Sequence, residues 1–311
     1  MLAGRAAGTA AFETISDPRP VLAAGAVVAL LLRCYGVHVA QNLTDQCIVI
    51  TGASSGIGAA TAIECAKAGM NVVINARRKD RLEEVAAKVR GLGRRAELVV
   101  GDVREEGITR RMLDCAQDSF GGFHAVFANA GYGMSLPCHE MTVEQMREMF
   151  EVNFLPCVDL LNEAARRLLA GKRRGHLLMC SSCLSKFSIP RHGAYAATKA
   201  AQNRICTAMR MELKRYGIYV SSVHPITTTT EFFEVSARLS GKGNEKHANI
   251  PRHSPRLFVQ PPERVARAIV RCLRKPCPEV WTSLIVRFAS GIFTVFPRFG
   301  DRAILAQAKR D

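Results

Sequence analysis

The sequence predicts an α/β fold in which helices cover both faces of one parallel sheet. From Asp45 onward, short aliphatic runs alternate with segments of helical spacing. The runs are apolar throughout rather than alternately polar, as in strands buried on both faces. Right-handed crossovers between such strands make a doubly wound sheet, and 48% hydrophobic residues are ample for its core.

The elements follow in order. Cys47–Ile50 reads as a short buried strand and residues 56–68 as a helix. Asn71–Ile74 is a second strand, followed by a helix over 79–90 whose charged and apolar positions have helical spacing. Leu98–Val100, a helix to about residue 119 and Ala125–Phe127 come next, then one long helical region over 142–169. Leu177–Met179, a helix over 193–216 and the strand Tyr219–Val223 close the regular series. Residues 225–262, with four consecutive threonines and Pro251, Pro255, Pro261 and Pro262, predict a mobile substrate flap with one short helix around Glu231–Leu239. A helix follows from Pro262 to Leu273. Trp281–Leu305 is apolar and basic by turns and broken by Pro297, which suits a final strand and an amphipathic, membrane-touching helix.

Three segments result: an N-terminal hydrophobic segment (1–42), a single α/β domain (43–275) and a basic, apolar tail (276–311). Residues 21–32 are uninterrupted small and apolar residues, and reaching the roughly 20 residues of a spanning helix requires Arg33 and His38 to lie near an interface. A membrane anchor, a docked surface helix and a cleaved signal peptide all fit this stretch.

The net charge is +16, and half of it lies in the last sixty residues, which hold twelve Lys or Arg against four Asp or Glu. No recognisable nucleic-acid motif accompanies the charge, so no nucleic-acid partner is expected. An acidic membrane face or a plain solvated surface suits it. The eleven cysteines are scattered, several in apolar runs such as those of Cys47 and Cys180, which points to reduced thiols and a cytosolic compartment. Cys180 and Cys183 have a metal-ligand spacing, but no second pair completes a site and no metal is expected.

The chemistry-bearing residues sit at strand ends. Gly52, Gly56 and Gly58 separate the first strand from its helix, where glycine lets the backbone approach a phosphate and the helix N-terminus offers free N–H groups. With Ser54, Ser55 and Ile57 they form the expected dinucleotide loop. The second strand ends without an acid and is followed by Arg77, so NADP(H) is expected over NAD(H). Asp102, with Val103 beside it, could accept from an adenine amino group. Tyr195 and Lys199 share a helix face, and a neighbouring ammonium is expected to lower the phenol's pKa. Ser181 and Ser182 follow the fifth strand, where a hydroxyl can hold a carbonyl oxygen.

These residues together resemble the short-chain dehydrogenases/reductases over roughly residues 43–275. The motifs match in order: Thr51-Gly-x-x-x-Gly-x-Gly58, Asp102, Asn129-Ala-Gly131, Asn153, Ser182 and Tyr195-x-x-x-Lys199. The resemblance implies a Rossmann-type domain in which the pro-S hydride of a nicotinamide moves to a carbonyl. It also implies Tyr195 as acid/base, Ser182 as orienter of the substrate oxygen, Lys199 on the nicotinamide ribose and Asn153 holding a water of a proton relay. Asn129 would line the adenosine ribose, and Pro225 and Thr230 would face the nicotinamide. The sequence departs from the family pattern at Ala128, Pro156 and Ile226, and the threonine run leaves the register of Thr230 open.

The resulting expectation is an NADP(H)-dependent oxidoreductase on a lipophilic carbonyl or alcohol, such as a steroid, a retinoid or a ketosphinganine-like compound. The alternative is a membrane-associated NADP(H)-binding scaffold or sensor with little turnover. The family implies a homodimer or homotetramer through the helices around 142–170 and 193–216.

Overall fold

The computed structural model describes residues 40–240 and 258–308. The expected membrane segment, apart from Ala40, and flap residues 241–257 lie outside the described residues. Seven parallel strands form one sheet in the order β3-β2-β1-β4-β5-β6-β7. They are β1 (Cys47–Thr51), β2 (Asn71–Ala76), β3 (Ala96–Val100), β4 (Ala125–Ala128), β5 (Gly175–Cys180), β6 (Ile218–His224) and β7 (Glu279–Trp281).

Alternation along the strands explains the two helix layers. Ile48 and Ile50 of β1 face one core, which holds Ala62 and Cys65 of α1 (Gly56–Lys67), Leu82 and Val85 of α2 (Lys79–Gly91), and Ile269 of α8 (Pro262–Arg274). Cys47 and Val49 face the other core, with Met112 of α3 (Ile108–Phe120), Leu160 of α5 (Leu155–Ala170) and Cys206 of α6 (Gly193–Leu213). Every residue of β1, β2, β4 and β5 is buried, which is why their sequences show no polar face.

The long helical region expected over 142–169 is two helices, α4 (Val143–Asn153) and α5, with Phe154 between them at φ −116° and ψ −59°. Pro156 lacks an N–H and its ring blocks the preceding turn, so it opens a helix instead of continuing one. The break leaves Asn153 fully buried at the end of α4. Thr142 starts α4 with a reciprocal cap: its hydroxyl accepts from the Gln145 N–H and the Gln145 side chain accepts in return.

The last strand lies earlier than the tail's pattern suggests, ending at Trp281 and pairing with β6 through Val223↔Val280. Three residues after Pro276 and Pro278 are too few to show a period. The short flap helix is α7 (Phe232–Leu239). Pro297 divides α9 (Leu284–Val295) from α10 (Pro297–Ala308). Among the described residues no helix is long and apolar enough to cross a membrane.

Phe127 is wholly buried in β4 at the centre of the sheet. Phe127→Ala should destabilise the domain by about 3–5 kcal/mol, read as a lowered urea midpoint. A midpoint near that of the native chain would show that this core tolerates the cavity.

Candidate active site

β1 lies between β2 and β4, so the loops after β1 and β4 leave the sheet side by side. In doubly wound sheets this reversal of strand order opens a crevice for ligands. The two loops are tied together here. The Thr51 hydroxyl accepts from the backbone N–H of Asn129 (2.9 Å) and of Ala130 (3.1 Å). The Asn129 amide donates to the carbonyls of Thr51 (3.0 Å) and Gly52 (3.3 Å).

This closeness sets the glycines. A Cβ on Gly58 would lie 2.3 Å from the Gly52 oxygen, and one on Gly52 would lie 2.9 Å from Ala130 Cα. Gly52 and Gly56 also have left-handed backbones, at φ +66° and +55°. A Cβ on Gly56 would meet Thr230 Cγ2 at 2.9 Å, so the threonine run crosses directly over the loop. Gln260 holds that run in place: its carbonyl accepts from Thr229 N (3.0 Å) and its N–H donates to the Thr227 carbonyl (2.9 Å). Ile57, in the first turn of α1, packs against the core beside Ala53. Ser55 precedes α1 but makes no side-chain cap. The first-turn N–H groups and the bare glycine backbone therefore form a cradle suited to a pyrophosphate.

Arg78 was not singled out from the sequence, yet its Nη2 donates to Ser54 Oγ (3.1 Å), Ser55 Oγ (3.1 Å) and Glu231 Oε2 (2.8 Å). It joins the dinucleotide loop to the start of α7. The signal was present in the pair Arg77-Arg78, but the partner lies 153 residues away. The Arg77 side chain is 75% exposed, with Nη1 3.7 Å from Asp102 Oδ2. Arg104 holds the Asp102 carboxylate with its backbone N–H (3.0 Å), Nε (3.1 Å) and Nη2 (3.0 Å), which keeps it below the usual carboxylate range. Val103, half-buried, follows on the same edge.

The second half of the site lies after β5. The structure separates the two candidate serines. Ser181 is committed to the backbone, donating to the Lys199 carbonyl at 2.9 Å. The Ser182 hydroxyl accepts from Leu184 N (3.2 Å) and lies on the Tyr195 side of the loop. Lys199 is buried, and its Nζ donates to the Cys180 carbonyl (2.7 Å) and stands 5.5 Å from the Tyr195 ring centroid. A Cβ on Gly131 would lie 3.0 Å from Asn153 Oδ1 and 3.7 Å from Lys199 Nζ, so these two groups flank one glycine. Asn153 exchanges hydrogen bonds with the Tyr132 backbone (2.9 and 2.8 Å), and its carbonyl accepts from the Gln202 amide and from Cys157 Sγ. A water held at that carbonyl would share it with Gln202. The Pro225 carbonyl accepts from Cys183 N (3.1 Å), which brings the turn after β6 against the serine loop.

The expected lowering of the phenol is reversed. Burial pushes Tyr195 well above its usual range, and the nearby Ser182 hydroxyl opposes it only in part. Burial also pushes Lys199 below its ordinary value. Desolvation penalises both charged forms, and it exceeds the attraction expected from their i, i+4 spacing.

His224 was likewise missed, lying one residue past the strand end expected at Val223. Its Nδ1 lies 3.0 Å from the Ser182 carbonyl and its Nε2 2.9 Å from Ser222 Oγ, while its ring stacks on Trp281 with centroids 4.6 Å apart. Because Ser182 contributes only a carbonyl to this contact, Nδ1 carries the proton. Burial lowers the pKa of His224 from 6.5 to about 4, and burial does the same at His124.

Comparison with known proteins agrees with this geometry. Residues 46–238 match the pattern that defines the short chain dehydrogenases. The chain is 30% identical over 264 residues to YxnA of Bacillus subtilis, described as an uncharacterized oxidoreductase, covering 84% of this chain and 72% of that one. It is 31% identical to the 1-deoxy-11-beta-hydroxypentalenate dehydrogenase of Streptomyces exfoliatus, over 66% of this chain and 75% of the other. The crystal structure of an alcohol dehydrogenase from Thermococcus sibiricus, complexed with 5-hydroxy-NADP, superposes with a TM-score of 0.64 at 27% identity. It covers 75% of this chain and 94% of the other.

Protonation of the unfolded chain begins near pH 6.5, whereas folded His124 and His224 resist it to about pH 4. Their contribution to stability is therefore complete above pH 6.5 and falls as the pH drops towards 4. His224→Gln should flatten the decline of the thermal midpoint across that window. An unchanged slope would remove His224 from the account.

Proposed function

The chain belongs to the short-chain dehydrogenase/reductase family, and from that premise we propose that it uses NADPH to reduce the carbonyl of a lipophilic substrate. Membership makes it an oxidoreductase whose fold binds a nicotinamide cofactor. The observation that carries the finer reading is buried Lys199, its Nζ 5.5 Å from the Tyr195 ring centroid and bonded to the Cys180 carbonyl, with Ser182 just past the end of the same strand.

The residues present fit the cofactor. The uncapped α1 N-terminus and the side-chain-free approach at Gly52, Gly56 and Gly58 receive the pyrophosphate. Arg77 and Arg78, with Ser54, border the end of β2 where a 2′-phosphate would lie, facing Asp102 and Glu231, and β2 itself ends without the acid that favours a bare ribose hydroxyl. Asp102 and Val103 face the adenine side and Asn129 the adenosine ribose, while Pro225 and Thr230 border the nicotinamide side. When bound, the cofactor supplies the hydride.

This chain's residues handle the oxygen and the proton. Ser182 and Tyr195 hold the carbonyl oxygen between two hydroxyls, and Tyr195 gives its proton to the oxygen as negative charge develops there. Burial raises the phenol, so it holds its proton as the acid of a reduction must. Lys199 holds the ribose and, through its charge, restrains the phenolate left behind. Asn153 anchors the Tyr132 segment and lies beside Lys199 for return of the proton.

The surroundings of Tyr195 support a lipophilic substrate: Phe232 stands edge-on at 5.4 Å, and Met134, Met149, Leu136 and Met141 cluster beside it. Exposed Val143, Leu155 and Met211 on α4, α5 and α6 support a homodimer or homotetramer through those helices. Free thiols at every described cysteine support a reducing compartment for the catalytic domain. We assign the N-terminal segment 1–42 to membrane attachment.

Two measurements test the reading. In a panel of steroid, retinoid, sphingoid and small ketones, Tyr195→Phe should lower kcat by about 100-fold or more while NADPH binding persists. Turnover that survives the substitution would move the acid role elsewhere. Arg77→Ala should weaken NADPH binding by about tenfold and leave NADH nearly unaffected. Equal losses for both cofactors would sink the NADP(H) assignment.

A further inference from the structure

Helix α9 is half covered. Leu284, Ile285, Phe288, Ile292 and Val295 are all exposed, Phe288 by 73%. At about 100° per residue they share one arc of about 100° along the helix. The opposite side, with buried Ser290 and half-buried Val286 and Phe293, faces the protein, and Phe293 packs edge-on against Phe187 at 5.6 Å. Phe296 and Phe299 prolong the exposed stripe into α10. A contiguous apolar strip of this kind marks an interaction surface, unlike singly scattered apolar residues.

From the start of the strip a row of positive charge leads away along α8. Arg264, Arg267, Arg271 and Arg274 of α8 are exposed and are followed by exposed Lys275. None of the five forms an ion pair among the described residues. Arg264 lines one cavity together with Leu284 and Ile285, so the ridge begins where the strip begins. At its other end the Arg274 carbonyl accepts from Gln41 N (2.8 Å), close to where the apolar sequence 21–40 joins the domain.

We propose that the outer face of α9 and the arginine ridge of α8 dock the protein on an anionic lipid bilayer, with α9 lying in the headgroup region. Apolar side chains bordered by unpaired cations match such a surface on both counts, hydrocarbon below and phosphate at the rim. A second copy matches it poorly, because a two-fold contact would set one arginine ridge near the other. The inner face of α9 rests on Phe187, in the loop that follows Ser182, so docking would bring the bilayer to the substrate side of the domain. The surface is independent of the reaction proposed above, although a lipophilic substrate would profit from it.

Trp281 is the only tryptophan and stands at the foot of α9, so its energy transfer to a dansyl lipid reports this docking directly. The full-length chain is mixed with phosphatidylcholine vesicles, with and without phosphatidylglycerol, at low and high salt. Transfer should appear with phosphatidylglycerol and weaken at high salt. The double variant Phe288→Asp, Val295→Asp should lower it by about tenfold or more. Arg264→Glu with Arg267→Glu and Arg271→Glu should abolish the preference for anionic vesicles. Unchanged transfer in the aspartate variant would overturn the proposal, as would vesicle binding through residues 1–42 without transfer from Trp281. A change of oligomeric mass in the aspartate variant without any vesicle response would assign the strip to a second copy. NADPH-dependent turnover of a water-soluble ketone, read in the same samples, separates a failure of docking from a failure of the proposed reaction.

Discussion

The site depends on the contact between the loop after β1 and the turn after β4. Asn129 donates to the carbonyls of Thr51 and Gly52, and the Thr51 hydroxyl accepts from two N–H groups of the other turn. Buried polar backbone at a strand end must find partners, and here each turn supplies them for the other. The space left is too small for a Cβ at Gly52 or Gly58, so the glycines follow from the contact as much as from any ligand. Once that contact forms, α1 starts with its N–H groups pointing into the crevice, and β2 delivers Arg77 and Arg78 to its rim.

Burial shapes the other half. Ser181, Lys199 and Asn153 are deeply buried and bonded to backbone, so their positions are set by the fold before any substrate arrives. The same burial keeps the Tyr195 phenol protonated and makes the Lys199 ammonium less favourable. His224 and Trp281 extend the scaffold behind Ser182 to β7, the strand that ends where α9 begins.

Much of this was legible in the sequence because it is local. Strands buried on both faces appear as apolar runs, and the glycine loop, Ser182, Tyr195 and Lys199 announce themselves by spacing. What escaped is set by contacts distant along the chain. Nothing near Arg78 marks Glu231 as its partner, and nothing near His224 marks the Ser182 carbonyl. The break at Phe154 could have been read from Pro156, whose missing N–H is incompatible with one continuous helix. The reversed pKa expectation for Tyr195 has another origin. Spacing reports that Lys199 is near but not that both groups are desolvated.

The central claim is that the loop clasped against Asn129 is the seat of the cofactor. Calorimetric binding of NADPH to Gly58→Ala tests it most directly, with the thermal midpoint recorded as a check on folding. The account predicts a folded domain that has lost most of its NADPH affinity, because the new Cβ forces the loop away from the Gly52 carbonyl. A folded variant that binds NADPH as tightly as the native chain would contradict it.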